Sequence, residues 1–592
     1  MLIFLRLSPQ QPFSSPVLMA VSFYSAAQYL LFIIIVTVLV KPLGRYLERV
    51  FSRQRTALDW FCVPVEKLLY RITGVDPAAE MNFVEYATSF VLFGLAGTLL
   101  LYAILRLQRF LPWYFPQYHT TPMTPDLAFN TAISFSTTTT WQAYGGETTM
   151  SYFSQLVGLA VQNFLAGAAG LAVGIAFIRG LAKQVSGTLG NFWVDLVRAL
   201  LWVLLPAALI GSLVLIWQGV PMNFHDYAVA TTLNGAKQVI PQGPVGAFEI
   251  IKNLGTNGGG FFNVNGAHPY ENPTPLSNFI EMLSIVLLPA ALTHTFGRMV
   301  RQPRQGWLFY WVMLFLFACA LVGVHHFEQR GNSHFAGVDL RHTRTQAGGN
   351  MEGKEVRFGI AGSTLTAVVT SNTATGSTNA ADDSLSAFGG MIVLTNMLLG
   401  ELVFGGLGTG IYSMVMAAAI VVFLAGLMVG RTPEYLGKKI GPPENKMIML
   451  YALAAPFTIL VLTAIAISTK AGVSGLTTNT GPHGLTSILL AYTSSFANNG
   501  QSFAGLNANT VFYNVTTAIA MMAGRFGLAV PALGLASLFA RQRTTPSSPG
   551  TLPTDSFSFG LLLTVCLVVL VALSYLPALA LGPILERFVF GG

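Results

Sequence analysis

The sequence predicts an all-α membrane protein of about ten transmembrane helices. Four pseudo-symmetric span–pore helix–filter loop–span repeats surround one pore, with one extra helix at each end. Three observations predict it. Only 9% of the residues are charged and 53% are hydrophobic, whereas a soluble domain is nearer a quarter charged, so lipid must cover much of this surface. Ten apolar runs approach or exceed the roughly 20 residues a span requires: near 20–40, 86–108, 152–178, 196–217, 275–297, 307–325, 389–430, 447–469, 510–540 and 557–588. Basic residues cluster in alternate loops, at Lys41 to Arg55, Arg179 and Lys183, Arg298 to Arg304, Arg431 to Lys439, and Arg541 and Arg543. The positive-inside rule puts those loops in the cytoplasm and both termini outside. That placement accounts for the net charge of +8 without nucleic acid.

Along the chain, residues 1–18 hold Pro9, Pro12 and Pro16 and read as a disordered or non-native extension, with Met19 as an alternative start. No small-residue cleavage site follows, so no cleaved signal peptide is expected. The division expected is 19–85 for the first extra span and a cytoplasmic loop, 86–185 for repeat one, 186–305 for repeat two, 306–440 for repeat three, 441–545 for repeat four and 546–592 for the final span. The run at 389–430 is twice too long for one straight helix. It holds Gly405, Gly406, Gly408 and Gly410 and reads as one broken helix with an unwound centre, two separate helices being the alternative.

Four further segments are too short to span. Each reads as a short helix followed by a Thr/Asn/Gly-rich stretch: Thr124 to Phe135 before Ser136–Gln142, Pro244 to Leu254 before Gly255–Phe262, Gly362 to Val369 before Thr370–Gly376, and Gly484 to Phe496 before Ala497–Gly500. Thr124, Pro125 and Asp126 make a favourable helix start. Gly376 follows Gly258 by 118 residues, Gly500 follows Gly376 by 124, and 118 residues before Gly258 stands Thr140. A unit recurring at that period marks a repeat architecture about an axis.

The loops carry the chemistry. Irregular backbone at membrane depth is tolerated only where it lines a watery cavity or is packed in protein. Four such loops can turn carbonyl oxygens inward and replace a cation's water shell, and the C-terminal ends of the short helices add partial negative charge. The residues so placed are Thr137, Thr138, Thr139 and Thr140; Thr256, Asn257 and Gly258; Thr373, Ala374, Thr375 and Gly376; and Asn498, Asn499 and Gly500. Neutral oxygens suit a large monovalent ion, because divalent sites normally recruit carboxylates.

Longer motifs carry a resemblance: Trp141–Thr149 (WQAYGGETT), Leu254–Phe262 (LGTNGGGFF) leading into His268–Pro273, Gly400–Gly410 (GELVFGGLGTG), Gly430–Lys439 (GRTPEYLGKK) and Asn498–Gly505 (NNGQSFAG). From about Met19 onward the chain resembles the potassium-binding subunit of the Kdp potassium-transporting ATPase, within a potassium-transporter superfamily of four fused channel-like repeats. The resemblance implies potassium as substrate, no cofactor, and filter residues at Gln142, Gly258, Gly376 and Gly500. It implies a gate at the broken helix with Arg431 near it. It also implies a bacterial inner-membrane complex with a P-type ATPase catalytic subunit, a single-span accessory subunit and a small hydrophobic peptide. The first loop reads Thr137 to Thr140 where alternating Thr and Asn is the family's pattern, and Ala381-Asp382-Asp383 replaces a Met-His-Asp type run. A stand-alone or cation-coupled potassium transporter, or a membrane scaffold without an ion path, are the alternatives.

Other motifs read as structural. Gly348 to Lys354 starts like a phosphate-binding loop, but Glu355 stands where Ser or Thr must hold magnesium. No aspartyl-phosphorylation motif is present, so the chain is not expected to hydrolyse ATP by itself. Cys62, Cys319 and Cys566 read as packing residues, His325-His326 as solvated at a span end, and Glu281 as solvated in a vestibule. Glu401 and Arg431 flank the broken helix as intramembrane candidates, with Arg431 equally readable as a positive-inside anchor.

Overall fold

The structure is a computed structural model; it describes residues 23–332, 338, 340, 348–430, 432–546 and 552–590. The N-terminal extension and Arg431 fall outside the described residues. Among the described residues, ten helices are long and apolar enough to cross a membrane. The first, Phe23–Phe51, runs eleven residues past the apolar stretch. Its last three turns therefore carry Lys41, Arg45 and Arg49, which the sequence alone puts in a loop. Repeat one comprises Phe83–Phe110, the short helix Pro125–Ser136 and Ser154–Ala182; repeat two, Phe192–Trp217, Val245–Leu254 and Pro275–Met299. Repeat three comprises Pro303–Gln329, Gly359–Asn372 and a span in two pieces, Ala387–Leu398 and Thr409–Val429. Repeat four comprises Pro442–Ser468, Gly481–Phe496 and Val511–Arg541, and the tenth span is Phe557–Val589.

Burial separates an inner ring from an outer one. Within their apolar windows the third, fifth, seventh and ninth spans are 83%, 72%, 61% and 61% buried, and the outermost, the eighth, only 17%. The second span of every repeat thus lines the centre, and the first faces lipid. The extra first helix docks on the fifth span through Gly44. A Cβ there would lie 2.8 Å from the Ala291 carbonyl oxygen, so only glycine permits the approach that Thr295 Oγ1 fixes by donating to the Gly44 carbonyl at 3.1 Å.

Several details differ from the sequence reading. An additional helix, Asp59–Thr73, lies between the first two spans, and a hairpin pairs Ala228–Thr231 with Lys237–Ile240. The third pore helix starts three residues earlier and continues through Asn372, and Thr373 Oγ1 at its end donates to the Val369 carbonyl. Thr124 precedes the first pore helix but makes no side-chain cap bond. His325 is buried and bonded to the Tyr29 hydroxyl at 2.8 Å, not solvated. Cys319 is exposed on the outer face of its span instead of packed. Glu281 is 1% exposed, drawn into a buried charge cluster rather than a vestibule.

Candidate functional site: a ring of four re-entrant loops

The four pore helices end at one place, and the loops that leave them share one backbone trace. Each loop carries two left-handed residues, two positions apart: Thr138 and Thr140, Thr256 and Gly258, Ala374 and Gly376, Asn498 and Gly500, with φ between 49° and 88°. The residue between each pair is not left-handed. Alternating the sign of φ turns successive carbonyls to the same face of the chain, which a regular strand cannot do. The same hydrogen bond starts every loop. Ser134 O accepts Thr139 N at 3.0 Å, Lys252 O accepts Asn257 N at 2.9 Å, Thr370 O accepts Thr375 N at 3.2 Å, and Ser494 O accepts Asn499 N at 2.9 Å.

The loops touch in a closed cycle. A Cβ on Gly258 would lie 1.6 Å from the Thr375 carbonyl oxygen, one on Gly376 2.0 Å from that of Asn499, and one on Gly500 2.0 Å from that of Thr139. At the fourth junction stands Thr140, whose hydroxyl donates to the Asn257 carbonyl. Loop one therefore meets two, two meets three, three meets four, and four meets one. Repeats one and three face each other across the centre. Hydroxyl pairs brace the two facing loops, Thr137 with Thr139 at 2.8 Å and Thr373 with Thr375 at 2.7 Å. Asn498 Nδ2 donates to Thr139 Oγ1 at 2.9 Å and ties loop four to loop one.

The residues named from the loops lie in this ring, and Gln142, named from the resemblance alone, lies beside it. The register gives the place of Gly258, Gly376 and Gly500 to Thr140, and Gln142 stands two residues further on. There its amide makes a two-point contact with Gly260, accepting from N and donating to O at 2.8 Å each. Beyond the ring opens a cavity of about 720 Å³, lined by the segments that follow all four loops, including Tyr144, Asn263, Asp382 and Phe503. Burial pushes the Asp382 carboxyl up to about 7, against the bond from Gln501 Nε2 and the nearby Lys354.

On the other side of the ring, the broken span crosses the centre. Its unwound stretch runs from Leu399 to Gly408. Gly405, Gly406 and Gly408 lie in it, whereas Gly410 is already helical, so the break sits earlier than the glycine count suggested. Gly400, Glu401, Phe404 and Gly408 have positive φ. Starting from repeat three, this stretch reaches repeat one opposite: Cβ atoms on Gly170 and Gly174 would lie 2.7 Å from the Leu407 carbonyl oxygen and 2.5 Å from Gly408 Cα. Leu407 N donates to Thr256 Oγ1 at 3.0 Å, which places the crossing directly against the ring.

One residue of this region was missed by the sequence reading. Arg525, in the middle of the ninth span, is 7% exposed. Its guanidinium donates to Thr138 Oγ1 at 3.2 Å and to Ala166 O at 2.7 Å. A lone arginine far from either end of a span is a functional candidate by position alone, and that signal was available. Glu401 is buried in the break, and an apolar cavity of about 160 Å³ leads from it between Leu398, Tyr451, Leu528 and Tyr575.

The inner ring of spans and the closed cycle of loops define a class, the membrane transport proteins that carry four pore repeats on one chain. The chain belongs to the family described as KdpA, potassium-transporting ATPase A subunit, which matches over residues 30–588. It is 51% identical to the potassium-transporting ATPase potassium-binding subunit of Methylobacterium radiotolerans over 553 residues, covering 93% of this chain and 95% of that one. The protein of the same description from Acidobacterium capsulatum is 51% identical over 576 residues, covering 94% and 97%. The fold is also that of the potassium transporter TrkH from Vibrio parahaemolyticus, at a TM-score of 0.50 and 12% identity, over 86% of this chain and 97% of that one.

Proposed function

We propose that the chain is the potassium-binding, translocating subunit of an ATP-driven uptake complex. Potassium from outside the cell enters the larger cavity, exchanges water for carbonyl oxygens in the ring, and passes to a P-type ATPase catalytic subunit. That partner hydrolyses ATP, so this chain itself is not the hydrolytic subunit. A single-span accessory subunit and a small hydrophobic peptide complete the assembly in the bacterial inner membrane, with both termini outside. The observation that carries this reading is the closed cycle of loops, because it gathers neutral oxygens from four sides. A ring of carbonyl dipoles replaces the shell of a weakly hydrated monovalent ion without a fixed carboxylate.

Two features support lateral delivery. The crossing Leu399–Gly408 bonds the ring at Thr256 and the guanidinium of Arg525 bonds it at Thr138, so a cation leaving the ring on this side meets both a wall and a positive charge. The apolar cavity beside Glu401 opens toward the tenth span instead. The test is to purify the chain with the products of neighbouring genes and measure ATPase activity against potassium and sodium. Stimulation by potassium over sodium is expected. Potassium uptake by the chain alone would replace this reading with a stand-alone transporter, and absence of any potassium effect would leave only a scaffold.

A further inference from the structure

Behind the second loop lies a buried ionic cluster, and the register shows how it differs from the other repeats. The residue whose carbonyl caps the loop is Ser134, Thr370 or Ser494 in repeats one, three and four, and Lys252 in repeat two. Lys252 O accepts both Asn257 N at 2.9 Å and Gly258 N at 3.2 Å. Its side chain is 0% exposed, with Nζ 2.8 Å from Glu249 Oε2 and 2.7 Å from Glu271 Oε2, both equally buried. Nζ also donates to Asn265 Oδ1 at 2.8 Å, and the other oxygen of Glu271 accepts Phe262 N at 2.7 Å. The ion pair thus clamps the chain at residues 252 and 262, on either side of the loop.

This loop needs holding more than the others. Gly255, Gly258, Gly259 and Gly260 leave side chains only at Thr256 and Asn257, and glycine backbone has the most freedom to lose. With Gly255 and Asn257 in the bracing positions, it cannot form the hydroxyl pair that stiffens loops one and three. We propose that Lys252, with Glu249 and Glu271, is the positioning residue that sets the shape of the second loop and, through it, discrimination among monovalent cations. A buried pair of this kind is rigid because displacing either charge leaves the other uncompensated. The proposal rests on the reading that the ring binds potassium.

The test uses the complex purified with its ATPase subunit, stimulated by potassium, rubidium or sodium. Lys252→Met combined with Glu271→Gln removes one charge of each sign. We expect the potassium concentration for half-maximal stimulation to rise about tenfold, and discrimination against sodium to narrow by a similar factor, while the maximal rate changes less than about twofold. A lower yield or Tm with wild-type half-stimulating concentrations would reduce the cluster to packing and overturn the proposal. Gly258→Asp separates the two levels: if that variant also keeps wild-type selectivity, the ring reading itself fails. Should the double variant not assemble, Lys252→Arg carries the test, since it keeps the charge but displaces the contacts to Asn265 and Glu271. Wild-type selectivity in that variant overturns the proposal.

Discussion

The first and second loops follow one path with opposite side-chain strategies. Loop two reaches the left-handed position at residue 258 with glycine, whose missing Cβ leaves room for the Thr375 carbonyl. Loop one reaches the same position with Thr140, a β-branched residue at φ 49°. A non-glycine residue there costs about 1–2 kcal/mol, and the hydroxyl bond to Asn257 O offsets part of it. Thr138, at φ 65°, is held likewise by Arg525. The difference teaches that the trace is imposed by the capping carbonyl and the neighbouring loop, and that either no side chain or a well-bonded hydroxyl satisfies it.

Breaking loop two should have the largest effect. Gly258→Asp puts a Cβ where the Thr375 oxygen lies and adds a charge, so the potassium requirement of the ATPase should rise at least 100-fold with the protein still inserted. A wild-type requirement would show that the ring is not the binding site. Next comes the charge that braces loop one. At an effective dielectric near 20, two unit charges 6 Å apart repel by roughly 3 kcal/mol. Arg525→Gln should therefore raise passive potassium leak through reconstituted vesicles by tenfold or more, and an unchanged leak would reduce Arg525 to a strut for Thr138.

Smaller effects sharpen the comparison. Thr140→Val keeps the shape but loses a bond worth about 1 kcal/mol, and should weaken potassium affinity three- to tenfold. Thr140→Gly gives loop one the residue used by the other three and should stay within about threefold of wild type. Equal losses in both would mean that the hydroxyl does not compensate for the backbone.

The smallest concerns the rim. His483, at the start of the fourth pore helix, bonds Asp383 at 2.8 Å and Glu586 at 3.0 Å, with Phe503 stacked on its ring. Burial opposes its charge, but these two carboxylates raise it to about 9. A group raised on folding stabilises fully below its unfolded value, near 6.5, and loses that contribution as pH rises through 9. Thermal stability should fall by a few degrees between pH 7 and 9.5, and His483→Gln should flatten that dependence. An identical pH profile in the variant would exclude His483 as its source.

The glycine period was legible because at three of the four positions a neighbouring carbonyl oxygen occupies the space a Cβ would take. The pairing of Thr140 with Asn257 was not, since one sequence does not show which hydroxyl stands in for an absent glycine. Counting back 118 residues from Gly258 already put Thr140 in the register, and the resemblance added Gln142 two residues further on. The broken helix was legible from its length, but its start was not, because Glu401 and Phe404 adopt positive φ without being glycine. Arg525 was legible as a lone arginine in the middle of a span, but its contact with Thr138 was not, because only the fold brings the ninth span against the first loop. Glu281 read as solvated in a vestibule and Lys252 carried no signal of its own, and only the fold buries both out of water.

Because all four loops come from one gene, a substitution changes a quarter of the ring. In an assembly of four identical chains it would change every quarter at once. Inheritance can therefore test one side of the opening at a time, keeping threonine on one wall, a lysine behind another and glycine on three. Such a ring has no reason to stay symmetric, and the lateral delivery proposed above is one use for walls that differ.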